Sequence, residues 1–110
     1  MTRHLLTDFE LMVLLAILRV GEEAYGVPIG REIERTGGRR AALAAVYTVL
    51  DRLEQRGLVT SGMGAPTPQR GGRAKRYFNV TRQGLRAIRE TQRALTALWS
   101  DLPALEGGKP

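Results

Sequence analysis

Arg39, Arg40, Tyr47, Thr48, Arg70, Arg73 and Lys75 are the side chains with the most to offer chemically in this chain. They are guanidinium forks, an ammonium and hydroxyls, groups that suit phosphate oxygens and base edges. Their setting strengthens that reading. No acidic residue lies between Glu54 and Glu90, while Arg56, Arg70, Arg73, Lys75, Arg76, Arg82, Arg86 and Arg89 all fall there. Such a run makes a local positive field instead of a mixed surface. The chain has 17 basic against 11 acidic residues, a formal net charge of +6. That balance favours a polyanionic partner and says nothing about fold. Of the basic residues only Lys75 and Lys109 are lysine. A GC-rich genome raises arginine too, so the spacing carries more weight than the count.

Other chemistries lack their residues. There is no cysteine and a single histidine, His4, which leaves no disulfide, thiol nucleophile or structural zinc. Ser61 and Ser100 have no histidine or lysine constellation, and the glycines at 62, 64, 71 and 72 do not spell a phosphate loop. No enzyme, metal or cofactor is expected. The apolar run Leu11 to Leu18 is far too short to span a bilayer and makes a poor signal peptide. A cytoplasmic protein without a membrane partner is therefore expected.

Elements must hold those side chains in place, and 110 residues suffice for one compact domain. Thr7-Asp8-Phe9-Glu10 reads as a capping box opening a first helix, which Gly21 ends. Leu11, Leu14, Leu15 and Leu18 make that helix apolar on nearly every side. It is expected to pack both against its own domain and against a second subunit. Glu22-Glu23 forms a polar turn and Ala24-Tyr25 a minimal strand. Gly26 opens a second helix with Ile29 and Ile33 inside, closed by Gly37-Gly38. Gly37 to Arg40 then reads as the turn of a helix-turn-helix.

A third helix is expected from about Ala41 to Arg56. Leu43, Val46, Leu50 and Leu53 face the core, and Ala42, Ala45, Thr48, Asp51 and Arg52 the opposite side. Gly57 caps it. Leu58-Val59-Thr60 and Arg73 to Val80 read as two strands joined by a Gly/Pro-rich tip over residues 62–72. Phe78 and Val80 point inward. Thr81 caps a last helix running to about Leu102, before Pro103. Leu85, Ile88, Gln92, Leu95, Trp99 and Leu102 alternate three and four apart, an a/d seam with one polar member. A seam on a terminal helix asks for a second copy. The expected organisation is a DNA-binding domain over 1–80, a dimerisation helix over 81–102 and a tail over 103–110.

Taken together, Tyr25-Gly26-x-x-Ile29, A-V-Y-T-V-L-D-R-L-E-Q-R-G-L-V from Ala45 and G-G-R-A-K-R-Y-F-N-V-T-R-Q-G-L from Gly71 resemble the PadR family over about residues 5–100. These are bacterial winged-helix regulators of transcription. The resemblance implies a mainly α (α+β) fold: a winged helix-turn-helix with a two-stranded β-wing and a C-terminal dimerisation helix, in the family's compact form. It implies a dimeric repressor that an effector releases from its operator. It puts Tyr47 on the recognition helix near the DNA backbone and Arg73 on the wing, and makes Leu53-Glu54 and Gly57-Leu58 structural. The chain departs from the pattern at Ala42, where family members often carry serine, and at Ala44, where glycine is frequent.

The alanine-rich entry, residues 41–45, lets the helix approach thymine methyls but offers no hydrogen bonds to guanine. The expected DNA-binding set is Arg39, Arg40, Ala42, Tyr47, Thr48, Arg70, Arg73 and Lys75, with phosphate contacts and DNA shape supplying much of the affinity. Arg52 and Glu54 are expected to form ion pairs on the protein surface. The expected dimer surface is Leu11, Leu14, Leu15, Leu85, Ile88, Gln92, Leu95, Trp99 and Leu102, meeting across a two-fold axis over a near-palindromic operator. Trp99 is either interface core or the aromatic wall of a site for a small apolar or aromatic effector. The competing reading is a winged-helix adaptor that binds protein. RNA binding has little support, because no run of aromatics is present to stack bases.

Overall fold

The computed structural model describes residues 5–64 and 75–106. Helices α1 (Asp8–Val20), α2 (Gly26–Gly37) and α3 (Leu43–Gln55) form a three-helix body. Strands β1 (Val59–Met63) and β2 (Arg76–Val80) follow, then α4 (Arg82–Trp99) and a single helical turn, α5 (Pro103–Glu106). β1 and β2 pair antiparallel with Val59 opposite Val80 and Ser61 opposite Phe78. This is the winged helix-turn-helix, mainly helical with one two-stranded sheet.

Local chemistry explains most boundaries. Thr7 accepts from the Glu10 amide at 3.2 Å while Glu10 Oε1 accepts from the Thr7 amide at 2.9 Å, the reciprocal capping box. Gly57 adopts φ 77°, a left-handed conformation that costs a side-chain-bearing residue energy. Around it the Leu58 amide donates to the Leu53 carbonyl and the Gly57 amide to the Glu54 carbonyl, a Schellman closure of α3. Thr81 then joins three elements. Its hydroxyl donates to the Gly57 carbonyl at 2.7 Å and accepts from the Gly84 amide at 3.0 Å, and its own amide donates to the Leu58 carbonyl. A side chain at Gly84 would lie 2.2 Å from the Leu58 carbonyl, so only glycine lets α4 start this close to β1.

The core gathers Val13, Leu14 and Ile17 of α1, Ile29 and Ile33 of α2, Val46, Leu50 and Leu53 of α3, and Val59 and Phe78 of the sheet. Several expectations need correction. Leu43 is 45% exposed. It opens α3 at the solvent edge, and Val49 takes a buried place instead. Leu14, expected at a subunit interface, is 0% exposed inside the monomer's own core. α4 ends at Trp99, three residues before Leu102: Ser100 turns extended and Asp101 takes φ 57°. The chain then forms α5 over the first residues of the expected 103–110 tail. Ala24 is not part of a strand, although its carbonyl accepts from the Phe78 amide at 2.9 Å like a bridge to β2. The wing tip, with Arg70 and Arg73, lies outside the described residues. Among the described residues no helix is long and apolar enough to cross a membrane.

Candidate nucleic-acid interface

α3 is two-faced. Val46, Val49, Leu50 and Leu53 lie in the core, which forces Ala42, Ala44, Ala45, Thr48, Asp51 and Arg52 outward. The outward face over the first two turns therefore bears methyls and one hydroxyl, with the partly exposed Leu43 at its flank. The Thr48 hydroxyl donates to the Ala44 carbonyl at 2.9 Å, leaving its lone pairs as acceptors. No side chain caps the entry at Ala42, so backbone N–H groups there remain open to solvent or ligand. The preceding turn is fixed from α2, where the Glu34 carboxylate accepts from the Ala41 amide at 2.9 Å.

The sequence-selected residues fare differently. Arg40 is exposed and forms no ion pair among the described residues. Arg39 is tethered: its guanidinium reaches Asp8 at 3.2 Å and lies 4.5 Å from the Phe9 ring centroid. Tyr47 is half-buried, and its hydroxyl end lies so close to Gly26 that a side chain there would meet it at 2.5 Å. Lys75 sits 5.1 Å over the Tyr25 ring, and Tyr25 meets Tyr77 edge-on at 5.5 Å. Tyr47 on α3 thus packs at the start of α2, and Tyr25 just before that helix meets Tyr77 on β2. Tyr25 and Tyr77 were not among the residues selected from sequence. The Tyr25-Gly26 pair was the visible signal, and the contact to Tyr77, distant in sequence, was not legible.

The positive field is smaller than the count of charges suggested. Arg56 pairs with Glu10 at 3.2 Å and Arg52 approaches the same oxygen at 3.7 Å, with Glu10 only 3% exposed. Arg76 reaches Asp51 at 3.1 Å and also binds Glu54. The Ser61 hydroxyl, and then Arg76, hold the Glu54 carboxyl below its ordinary range against the opposing effect of burial. Arg52 and Glu54 are thus both ion-paired. Lys75, Arg82, Arg86 and Arg89 form no ion pair among the described residues.

A second cluster lies on the α1–α2 side. Glu32, nearly buried, accepts from Thr36 at 2.6 Å and Arg19 at 2.7 Å, and from Arg35. The Thr36 hydroxyl first, then Arg19 and Arg35, lower its pKa from 4.5 to about 2, with burial opposing.

The residues of the expected dimer surface divide along α4. Leu85 and Ile88 are half-buried, Ile88 against the core, and Thr91 is buried, accepting from the Leu6 amide at 3.1 Å. Beyond it the helix leaves the body. Gln92, Leu95 and Leu102 are exposed, Trp99 is 65% exposed, and Leu98, outside the a/d seam, is 74% exposed. Leu11 is half-buried and Leu15 exposed on α1. With Ile88, Leu95 and Trp99 these two line an open groove of about 600 Å³ between α1 and α4.

Residues 14–90 match a family model described as the transcriptional regulator PadR-like family. No curated protein matches the chain. Among solved structures, a PadR family transcriptional regulator from Eggerthella lenta is 26% identical with a TM-score of 0.67, over 86% of this chain and 80% of that one. A PadR-like regulator from Bacillus cereus is 21% identical with a TM-score of 0.70, over 92% and 93%. A PadR family regulator from Clostridium difficile is 18% identical with a TM-score of 0.70, over 91% and 100%. The last two show shared fold alone.

Proposed function

The chain belongs to the PadR-like family of transcriptional regulators, and on that premise we propose that it is a dimeric repressor whose α3 enters the major groove of a near-palindromic operator. It is a DNA-binding regulator and not an enzyme. The observation that carries the proposal is the outward face of α3, small at Ala42, Ala44, Ala45 and Thr48 with Leu43 at its flank, while its opposite face is locked in the core. Small side chains permit close approach and contact with thymine methyls. The starts of α2 and α3 both lack side-chain caps, which leaves backbone amides for phosphate oxygens. Arg40 and Lys75 flank this surface, with Tyr47 and Arg39 partly engaged in packing. Arg70 and Arg73 are assigned to the wing from sequence.

One winged helix covers few base pairs, so a two-fold pair is a mechanical requirement of specific binding. In this division of labour the chain up to Val80 meets DNA and α4 pairs the subunits. Leu95, Leu98 and Trp99 are too large and too exposed to be left wet, and a second copy would cover them. Leu11, Leu15, Leu85, Ile88, Gln92 and Leu102 border the same surface, whereas Leu14 belongs to the monomer core. The groove at Trp99 is a place for a small apolar or aromatic effector. Such a molecule would release DNA only by favouring one spacing of the two α3 helices over another.

Titrating the protein against its own upstream duplex at several salt concentrations tests the proposal. Binding should weaken steeply with salt, and Arg73→Ala should flatten the log–log slope by about one unit. An unchanged slope removes the wing from the interface, and salt-insensitive or absent binding favours the protein adaptor.

A further inference from the structure

Among the described residues of the basic window, Arg76 makes the most side-chain hydrogen bonds. Its three guanidinium nitrogens each have a partner. Nε donates to Ser61 Oγ at 3.1 Å, Nη1 donates to Asp51 Oδ1 at 3.1 Å, and Nη2 donates to Glu54 Oε1. The Ser61 hydroxyl donates in turn to Glu54 Oε2 at 2.7 Å. The guanidinium lies 4.9 Å from the ring centroid of Phe78, which is fully buried and sits opposite Ser61 in the sheet. One side chain on β2 thus grips β1 and the third turn of α3 at once.

We propose that Arg76 is a positioning residue: it sets the angle between the β1–β2 wing and the recognition helix and makes no phosphate contact of its own. The proposal rests on the DNA-binding reading of α3. A two-stranded ribbon alone is marginally stable, so its orientation must come from what it packs on. The inner face of this ribbon reaches the core through Val59 and Phe78. Farther out, toward the tip, that apolar contact ends. There the planar fork of Arg76 replaces it, with a geometry that a flexible ammonium cannot reproduce. Asp51 and Glu54 lie on α3 three residues apart, about one and two turns beyond Thr48, so the fork fixes the ribbon relative to the same helix that presents the reading face.

The proposal makes an expectation opposite in sign to simple electrostatics. Removing a carboxylate beside a DNA-binding surface ordinarily tightens binding. Here Glu54→Ala should weaken binding to duplex about tenfold, as should Arg76→Ala. The double variant should lose no more than about twofold beyond either single, because both break one clamp. In the free protein, amide hydrogen exchange of β1 and β2 should speed up in both single variants, with α1 and α2 unchanged. If Glu54→Ala binds DNA as tightly as the parent or tighter, or if the two losses simply add, Arg76 acts on DNA directly and the proposal is overturned. Failure of the parent protein to bind duplex would instead defeat the reading of α3. In that case the wing amides still decide the clamp, since unchanged exchange in Arg76→Ala overturns it.

Discussion

The start of α3 and the end of α4 are both helix faces that the monomer leaves uncovered, but they are uncovered in opposite ways. At α3 the exposed residues are Ala42, Leu43, Ala44, Ala45 and Thr48, with Leu43 the one large side chain, at the flank of the face. At α4 they are Leu95, Leu98 and Trp99. Apart from Leu43 at its flank, the first face carries only methyls and a hydroxyl, which keep no neighbour at a distance. The second gains little from water and much from another apolar surface, at roughly 25 cal/mol per Å² buried. Exposure alone therefore does not identify a partner. The size of what is exposed separates a face that suits close approach to a polar groove from one that suits burial.

Breaking each face separately tests that contrast. The largest effect is expected from Ala45→Glu. A carboxylate on the approach face meets phosphate charge, and like-charge juxtaposition costs several kcal/mol. DNA affinity should fall by about a hundredfold or more, read by fluorescence anisotropy, with subunit association unchanged by sedimentation. Trp99→Ala should do the reverse. In the proposed dimer Trp99 is a central aromatic anchor, whose loss should cost about 2 kcal/mol of association, near thirtyfold in dimer affinity. Its DNA binding should recover at high protein concentration.

Much of this was legible beforehand, and the failures have physical causes. The capping box at Thr7, the glycines at 21, 38 and 57 and the cap at Thr81 act through local backbone chemistry, so their positions were readable. α1 was harder. With leucines at 11, 14, 15 and 18, no period marks which side faces inward, and Leu14 went to the core while Leu15 stayed out. Leu98 was missed because it lies off the a/d spacing. Its exposure arises because α4 leaves the body after Thr91, a tertiary event. The pairings of Arg56 with Glu10 and of Arg76 with Asp51 and Glu54 join distant parts of the chain. A window that counts neighbouring charges cannot see them, and it overstated the field.

Two smaller effects sharpen the contrast, because they should alter the scaffold beneath both faces without touching either. Thr81→Ala removes the cap that ties α4 to the end of α3 and should cost about 1 kcal/mol of stability in thermal melts. Both binding faces should keep their affinities where the protein is folded. The Glu32 cluster should appear only in acid. Its folded pKa of about 2 lies below the ordinary 4.5, so the unfolded chain takes up the proton first as pH falls. The stability that Glu32 contributes is fully present above pH 4.5 and is lost progressively down to about pH 2. Glu32→Gln should flatten this part of the stability profile, measured by denaturant titration across that range.

The most direct test of the two-face account is amide hydrogen exchange on the protein alone and on saturating operator duplex. At concentrations that favour the pair, the amides of Leu95 to Trp99 should already be protected without DNA and change little on its addition. New protection should appear at the start of α3, over residues 42–48. Protection that DNA induces at the end of α4, with the start of α3 unchanged, would contradict the assignment of the two faces.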